Sequence, residues 1–405
     1  MLGKIAFVFF IGLCSLCAFG ENQEKQRKFS GEWITTPMFE NLQKINVFRR
    51  QLDGKRAAEI KKLSTIRNKH ILFRKTFELP ESVKDAQLYF SADDYAKIYI
   101  NGQFVAQGPT AAYNFHYLYN KVDVSKFLKK GKNTIAIHSY YQGLINRVWV
   151  SGDNRHGFIC DIVADGKTVL KSDNTFKFAY HEAFTATGIV GYDTQFMESY
   201  NANAPQVGFE KPDFDDSKWQ NAVVAKFADY TLFESPLANL QFETIKPKIV
   251  EHRGKRIFVD FGAMYVGYFK MKASGKKGAK LELRFGQELN DDGSVRYKLR
   301  ANCDYREHFM LSGKGCDTLD QFDYKSFRYA EIVGADNADV DEKSFELVAR
   351  HMPFTLKAQN RYKGDKTVEK IWNLCVRSMQ YGVQEQIQDC MDREKGYYLG
   401  DGCYT

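Results

Sequence analysis

The feature that most constrains this chain is a recurring texture. Short runs of alternating apolar and polar residues, each closed by a turn residue, follow one another from residue 29 to about 240. Period-two alternation places apolar side chains on one face of a pleated strand. Residues 71–79 form such a run, which stops at Pro80. Residues 96–100 meet Asn101-Gly102, a pair that accepts positive φ at both positions and so favours a two-residue hairpin. Residues 86–91, 133–139, 158–163 and 168–170 continue the pattern, with Asp165-Gly166 as another tight turn. Strands this short and evenly spaced predict a β-sandwich of the jelly-roll type. Residues 214–219 end the region as a polar turn followed by Trp219, expected to be buried. The aromatic share of 15% suits such a sheet and also suits sugar binding, and packing accounts for most of it.

A second β unit is expected over 241–350. Val259-Asp260-Phe261-Gly262 leads into an apolar run at 267–273, and residues 280–286 alternate cleanly. Asp291-Asp292-Gly293 reads as a turn, and 324–333 as a late strand. After Pro353 the period changes. Val368, Ile371, Trp372, Cys375 and Met379 fall on one helical stripe facing a core, with Asp365 as N-cap. The spacing predicts a helix to about residue 386, with Gly382 a weak point inside it.

The first twenty residues read as a secretory signal: Lys4, an apolar run at 5–16, and small residues at Ala18 and Gly20, with cleavage after Gly20. This predicts a secreted or periplasmic protein. Cys14 and Cys17 lie in poor lipobox contexts, so a lipid anchor is the lesser alternative. No later stretch is long and apolar enough to span a membrane. The net charge of +8 comes from scattered lysines, which predicts a solvated surface, and no nucleic-acid motif is present. No CxxC pair occurs, and His116, His138, His156 and His252 lack metal-ligand spacing. No acidic run forms a calcium loop, so neither metal nor cofactor is expected. Cys303 and Cys316 are the best disulfide candidates, with free thiols the alternative. Tyr140, Tyr141 and Trp149 could line a sugar groove, although packing is their default role. Nothing in the sequence sets an oligomeric state.

One segment is strongly chemical. Residues 389–401 hold four carboxylates, Asp389, Asp392, Glu394 and Asp401, with Arg393 and Lys395 among them. On composition alone this is a charged surface loop. Its other reading is a glycosidase acid site. Such a site needs one carboxylic acid to protonate the leaving oxygen; an inverting enzyme adds a second carboxylate about 6.5–9.5 Å away to activate water. Neighbouring carboxylates, and burial among Tyr397 and Tyr398, would keep the acid protonated. Arg393 would oppose that shift if aimed at the acid, or could orient a carboxylate or a sugar hydroxyl.

Three stretches carry a resemblance. "YAKIYING" at 95–102, Asp123-Val124, Gly131-Lys132-Asn133 and "FDDSKW" at 214–219 are similar to galactose-binding-like sandwiches that precede glycoside hydrolase domains. The run from Asp260 to Leu289, "DDGS" at 291–294 and "SFRYAEIVG" at 326–334 resemble the concanavalin-like domain of family 78 α-L-rhamnosidases. That family carries a loop of the form Asp-Cys-Pro-x-Arg-Glu-(Lys or Arg)-x-x-aromatic-x-Gly-Asp at the start of an (α/α)6 barrel. Asp389, Cys390, Arg393, Glu394, Lys395, Tyr398, Gly400 and Asp401 match it. Met391 replaces the usual Pro and Tyr398 a more usual Trp, which bears on substrate detail.

The resemblance implies a mainly β chain: a signal at 1–20, a galactose-binding-like sandwich at 28–240, a concanavalin-like sandwich at 241–350, and the first helix and loop of an incomplete barrel at 355–405. It implies an inverting enzyme that releases terminal L-rhamnose from polysaccharides or glycosides. Glu394 would be the general acid, and Asp389, Arg393, Tyr398 and Asp401 would bind substrate. The family's general base lies far downstream of this loop, whereas this chain ends at Thr405. Without it the 405 residues are expected to be inactive, with the helical stripe left exposed. The alternatives are a carbohydrate-binding fragment without catalysis, or a different secreted hydrolase of β-galactosidase type, against which the carboxylate loop argues.

Overall fold

The computed structural model describes residues 25–47, 66–144, 151–355, 365–396 and 398. The signal-like segment, Trp149, Tyr397, Gly400, Asp401 and Cys403 lie outside the described residues.

The alternating runs form strands where they were expected, in two facing sheets. One sheet orders Val223–Val224, Ile34–Thr35, Gly157–Ala164, Ala86–Asp93, Tyr117–Asp123 and Leu232–Glu234, with Lys167–Lys171 paired to Gly157–Ala164. The other orders Gln220–Asn221, Lys177–Tyr180, Lys69–Leu79, Gly131–Tyr141, Tyr95–Ile100 and Gln103–Gly108. Asn101 and Gly102 close the last hairpin with φ of 51° and 82°, so Ile100 pairs with Gln103. Between the sheets lie Ile71, Phe73, Phe90, Ile98, Phe158 and Phe176, all fully buried. Tyr140 and Tyr141 are buried too, which settles their packing role. Trp219 is only half-buried, packed edge-on against Phe214, because its turn lies on the outer face of the sandwich.

A third, eleven-stranded sheet folds around a second core. Its path runs Phe184–Val190, Gln195–Asn201, Arg306–Met310, Lys280–Gly286, Lys325–Val333, Arg256–Gly275, Phe345–His351 and Gln241–Ile245. The twenty-residue strand Arg256–Gly275 changes register between Asp260 and Tyr265. Its first half pairs with Ile249–Arg253 and its second half with Phe345–His351, so one strand serves both sides of a sandwich-like fold. The first two strands of this sheet come from before residue 241. Ser199, Tyr200 and Asn201 pair in parallel with His308, Phe309 and Met310. Strand pairing therefore crosses the division placed at 240/241 from sequence texture, because texture shows that a strand exists but not which sheet receives it.

The helix Lys366–Gly382 follows, capped by Asp365, whose carboxylate accepts from Thr367 N at 2.7 Å. It stops at Gly382, short of the expected residue 386. Only its last turns dock. Arg377 donates to Met264 O at 2.8 Å, and the Tyr381 ring stands edge-on to Tyr265 and His351. Of the apolar stripe, Ile371 (55%) and Cys375 are exposed while Val368, Trp372 and Met379 are half-buried, so the stripe is only partly covered rather than sunk in a core. Cys303 is buried and Cys316 exposed, and both are free thiols, as the second alternative held.

Phe269 sits at the centre of the second core, in ring contact with Phe261, Phe285, Phe327 and Phe345. Phe269→Ala is expected to cost about 3–5 kcal/mol. The measurement is the urea unfolding midpoint, and a loss under about 1 kcal/mol would show that this cluster does not hold the sheet together.

Candidate active site

The carboxylate segment forms a closed loop beyond the helix. Asp389 N donates to Gly396 O at 2.9 Å, Gly396 N donates to the Asp389 carboxylate at 3.0 Å, and Lys395 N donates to Cys390 O at 3.1 Å. Asp389 thus closes the loop at its base. Glu394 lies near the tip, where its carboxylate accepts from the Tyr398 hydroxyl at 2.7 Å. Tyr398 is itself exposed, so it meets Glu394 as a hydrogen-bond donor rather than as a burying wall. The Arg393 guanidinium lies 3.6 Å from Asp392, and the Asp392 carboxylate also accepts from Gln287 at 3.3 Å. Of the residues singled out from sequence, Asp389, Arg393, Glu394 and Tyr398 share this loop, and Asp401 lies outside the described residues.

What holds the loop was not legible beforehand. Lys395 is 2% exposed, and its backbone is left-handed at φ 50°. That conformation costs a non-glycine residue about 1–2 kcal/mol, so contacts must offset it. Its ammonium donates to Tyr324 O at 2.7 Å and to the Gln195 side chain, and lies 3.7 Å from the centroid of the Tyr324 ring. Two residues earlier in the chain, Arg393 O accepts from Tyr192 N at 3.2 Å and from the Thr194 hydroxyl at 2.5 Å.

The base of the loop is joined to both sandwiches by Arg350. This buried side chain donates to Gln384 at 2.9 Å, to the Tyr268 hydroxyl at 3.0 Å and to Glu385, and lies over the Tyr324 ring. Glu385 also accepts from the Tyr95 hydroxyl at 2.5 Å, which accepts in turn from Gln107 at 3.0 Å. Beneath the loop lies a buried charged cluster. Glu198 accepts from Phe322 N and Asp323 N, and Lys325 donates to Glu307. Burial and the neighbouring Glu307 push the Glu198 carboxyl well above its usual range.

Two comparisons place this architecture. The family described as the α-L-rhamnosidase N-terminal domain matches residues 81–242. The one described as the bacterial α-L-rhamnosidase concanavalin-like domain matches 251–352. The chain carries the N-terminal and concanavalin-like domains of the α-L-rhamnosidases. An α-L-rhamnosidase of Streptomyces avermitilis is 24% identical over 275 residues, covering 64% of this chain and 26% of that protein. One from Formosa agariphila is 26% identical over 293 residues, covering 67% of this chain and 31% of its own length. The chain thus spans about a quarter to a third of these relatives. Among solved structures, the α-L-rhamnosidase of Dictyoglumus thermophilum superposes with a TM-score of 0.71 at 21% identity, over 92% of this chain and 41% of that one. A family GH78 rhamnosidase of Bacillus sp. GL1 gives 0.75 at 12% identity, over 93% and 60%. These likenesses establish the fold of the two rhamnosidase domains and of the join between them.

Burial, together with repulsion from Lys325 and Arg350 and against attraction from Asp323, brings the Lys395 amine down to about 7. An unfolded lysine titrates near about 10.4. Between these values the unfolded chain holds a proton that the folded chain does not, so folding is favoured as pH rises through that window. The contribution of Lys395 is smallest below about pH 7 and grows toward about pH 10. The urea midpoint of the native chain, taken relative to Lys395→Met, should therefore rise between about pH 7 and about pH 9.5. A difference that is flat or falling with pH would contradict this burial of the amine.

Proposed function

We propose that the chain belongs to an exported inverting α-L-rhamnosidase in which Glu394 is the general acid. The observation that carries this reading is the closed loop itself. It presents Glu394 at its tip, beside the two domains matched to α-L-rhamnosidases. Glu394 would protonate the leaving glycosidic oxygen, and Tyr398, hydrogen-bonded to it, would set the orientation of its carboxyl group. Asp389, Arg393 and Asp401 would meet the hydroxyls of a terminal rhamnose. Inversion needs a second carboxylate on the far side of the sugar. We place that base outside these 405 residues, so the chain alone would hold one half of the reaction centre.

Two assays test this. The 405-residue chain should release no chromophore from an aryl α-L-rhamnoside, and measurable turnover would overturn the placement of the base. In a protein that joins this chain to a family 78 barrel, Glu394→Gln should lower kcat by about a hundredfold to ten-thousandfold. Undiminished turnover would remove Glu394 from the role of acid.

A second reading is binding without cleavage, and a cavity in the front sandwich favours it. The cavity holds about 300 Å³ and is lined by Tyr113, Asn114, Phe115, Tyr117, Arg155 and Tyr230, among others. Tyr113 and Phe115 stack in parallel at 5.7 Å, and Phe115 is 58% exposed, an arrangement suited to the apolar face of a sugar ring. Affinity electrophoresis on rhamnogalacturonan should retard the chain, and Phe115→Ala should weaken the retardation. Unretarded migration of the native chain would exclude this reading.

A further inference from the structure

The two residues that flank Glu394 are held by the same turn, 200 residues earlier in the chain. That turn joins strands Phe184–Val190 and Gln195–Asn201, the pair that sequence texture assigned to the front sandwich and that the fold adds to the large sheet. On the near side of Glu394, the carbonyl of Arg393 accepts from Tyr192 N and from the Thr194 hydroxyl. On the far side, the Lys395 ammonium donates to Gln195, the first residue after the turn. Gly191 allows this approach. Its φ is +62°, and a Cβ there would stand 2.3 Å from Arg393 O, closer than any side chain can come. The turn therefore grips the loop backbone on one side of Glu394 and a buried side chain on the other.

We infer that the turn spanning Gly191 to Gln195 is a positioning clamp for the acid, with Thr194, Gln195 and Lys395 as its positioning residues. The inference rests on the reading of Glu394 as the acid for its meaning, but not for its test. A carboxyl group must be held within about 0.5 Å of its productive place to act as a general acid. A loop tip attached only through its own base would not achieve this. With its neighbours fixed on both sides, the Glu394 carboxylate is left turned toward Tyr398.

The test is amide hydrogen exchange on the full 405-residue chain, with Thr194→Val and Lys395→Met as variants. Valine keeps the shape of threonine and removes the donor to Arg393 O. In both variants the amides of Asp389, Lys395 and Gly396 should exchange at least about tenfold faster, because Thr194→Val removes one hydrogen bond that holds the loop and Lys395→Met removes two. Amides paired between Gln195–Asn201 and Arg306–Met310 should be unchanged. The side-chain carboxyl resonance of Glu394, in selectively 13C-labelled protein, should also shift in Thr194→Val. Should Lys395→Met fail to fold, Thr194→Val decides alone. Loop exchange equal to that of the native chain overturns the clamp. So does an equal rise in loop and strands, which would mean that these residues support the sheet in general. A clamp confirmed by exchange alongside a fully active Glu394→Gln would remove the acid reading and leave the clamp standing.

Discussion

A buried guanidinium joins the three parts of this chain. Arg350 is the penultimate residue of the strand Phe345–His351 in the large sheet, and its donors reach Gln384 and Glu385 beyond the helix and Tyr268 within its own sheet. Through Glu385 the same network reaches Tyr95 and Gln107 of the front sandwich. A charge taken out of water costs several kcal/mol unless partners surround it. The arginine is therefore tolerable only when sandwich, sheet and post-helix segment are assembled together. A lysine could not replace it, because a single ammonium lacks the planar fork that addresses three partners at once. The carboxylate loop begins four residues after Glu385, so its place follows from this junction.

Aromatic packing serves the same end in the interior. Phe322 lies among His70, His138 and Tyr140, at centroid distances of 5.4, 4.6 and 4.7 Å. The front sandwich and the large sheet thus meet through rings as well as through hydrogen bonds. Burial holds His70 and His138 well below the ordinary range of histidine, which keeps both neutral and compatible with an apolar surround. Much of the high aromatic content of the chain is spent in these contacts.

Local features were legible from sequence wherever local physics decides them. Asn101-Gly102 and Asp165-Gly166 turn as their positive φ allows, and Lys280–Gly286 alternates in burial as its residues alternate in polarity. Asp365 caps the helix that it was expected to cap. The carboxylate loop was legible as chemistry, because its carboxylates and cations crowd a few positions. Its supports were not. Lys395 looked like one more surface charge, and only the fold shows that Gln195 and Tyr324 surround it. Gly191 in Gly-Tyr-Asp marked a turn, but no linear pattern says which distant backbone that turn will touch. Pairings across 200 residues depend on sheet order, which sequence texture does not encode.

The strands Phe184–Val190 and Gln195–Asn201 lie before one sequence-level boundary and fold beyond it. Two units that exchange strands in this way are not interchangeable parts. A recombination event at residue 240 would bring in a front sandwich whose strands need not match the edge at Arg306–Met310, and the turn that meets Arg393 would change with it. Selection acting on the loop near Thr405 therefore also acts on a turn near residue 191. The front sandwich, the large sheet and the loop should be inherited together as a single piece.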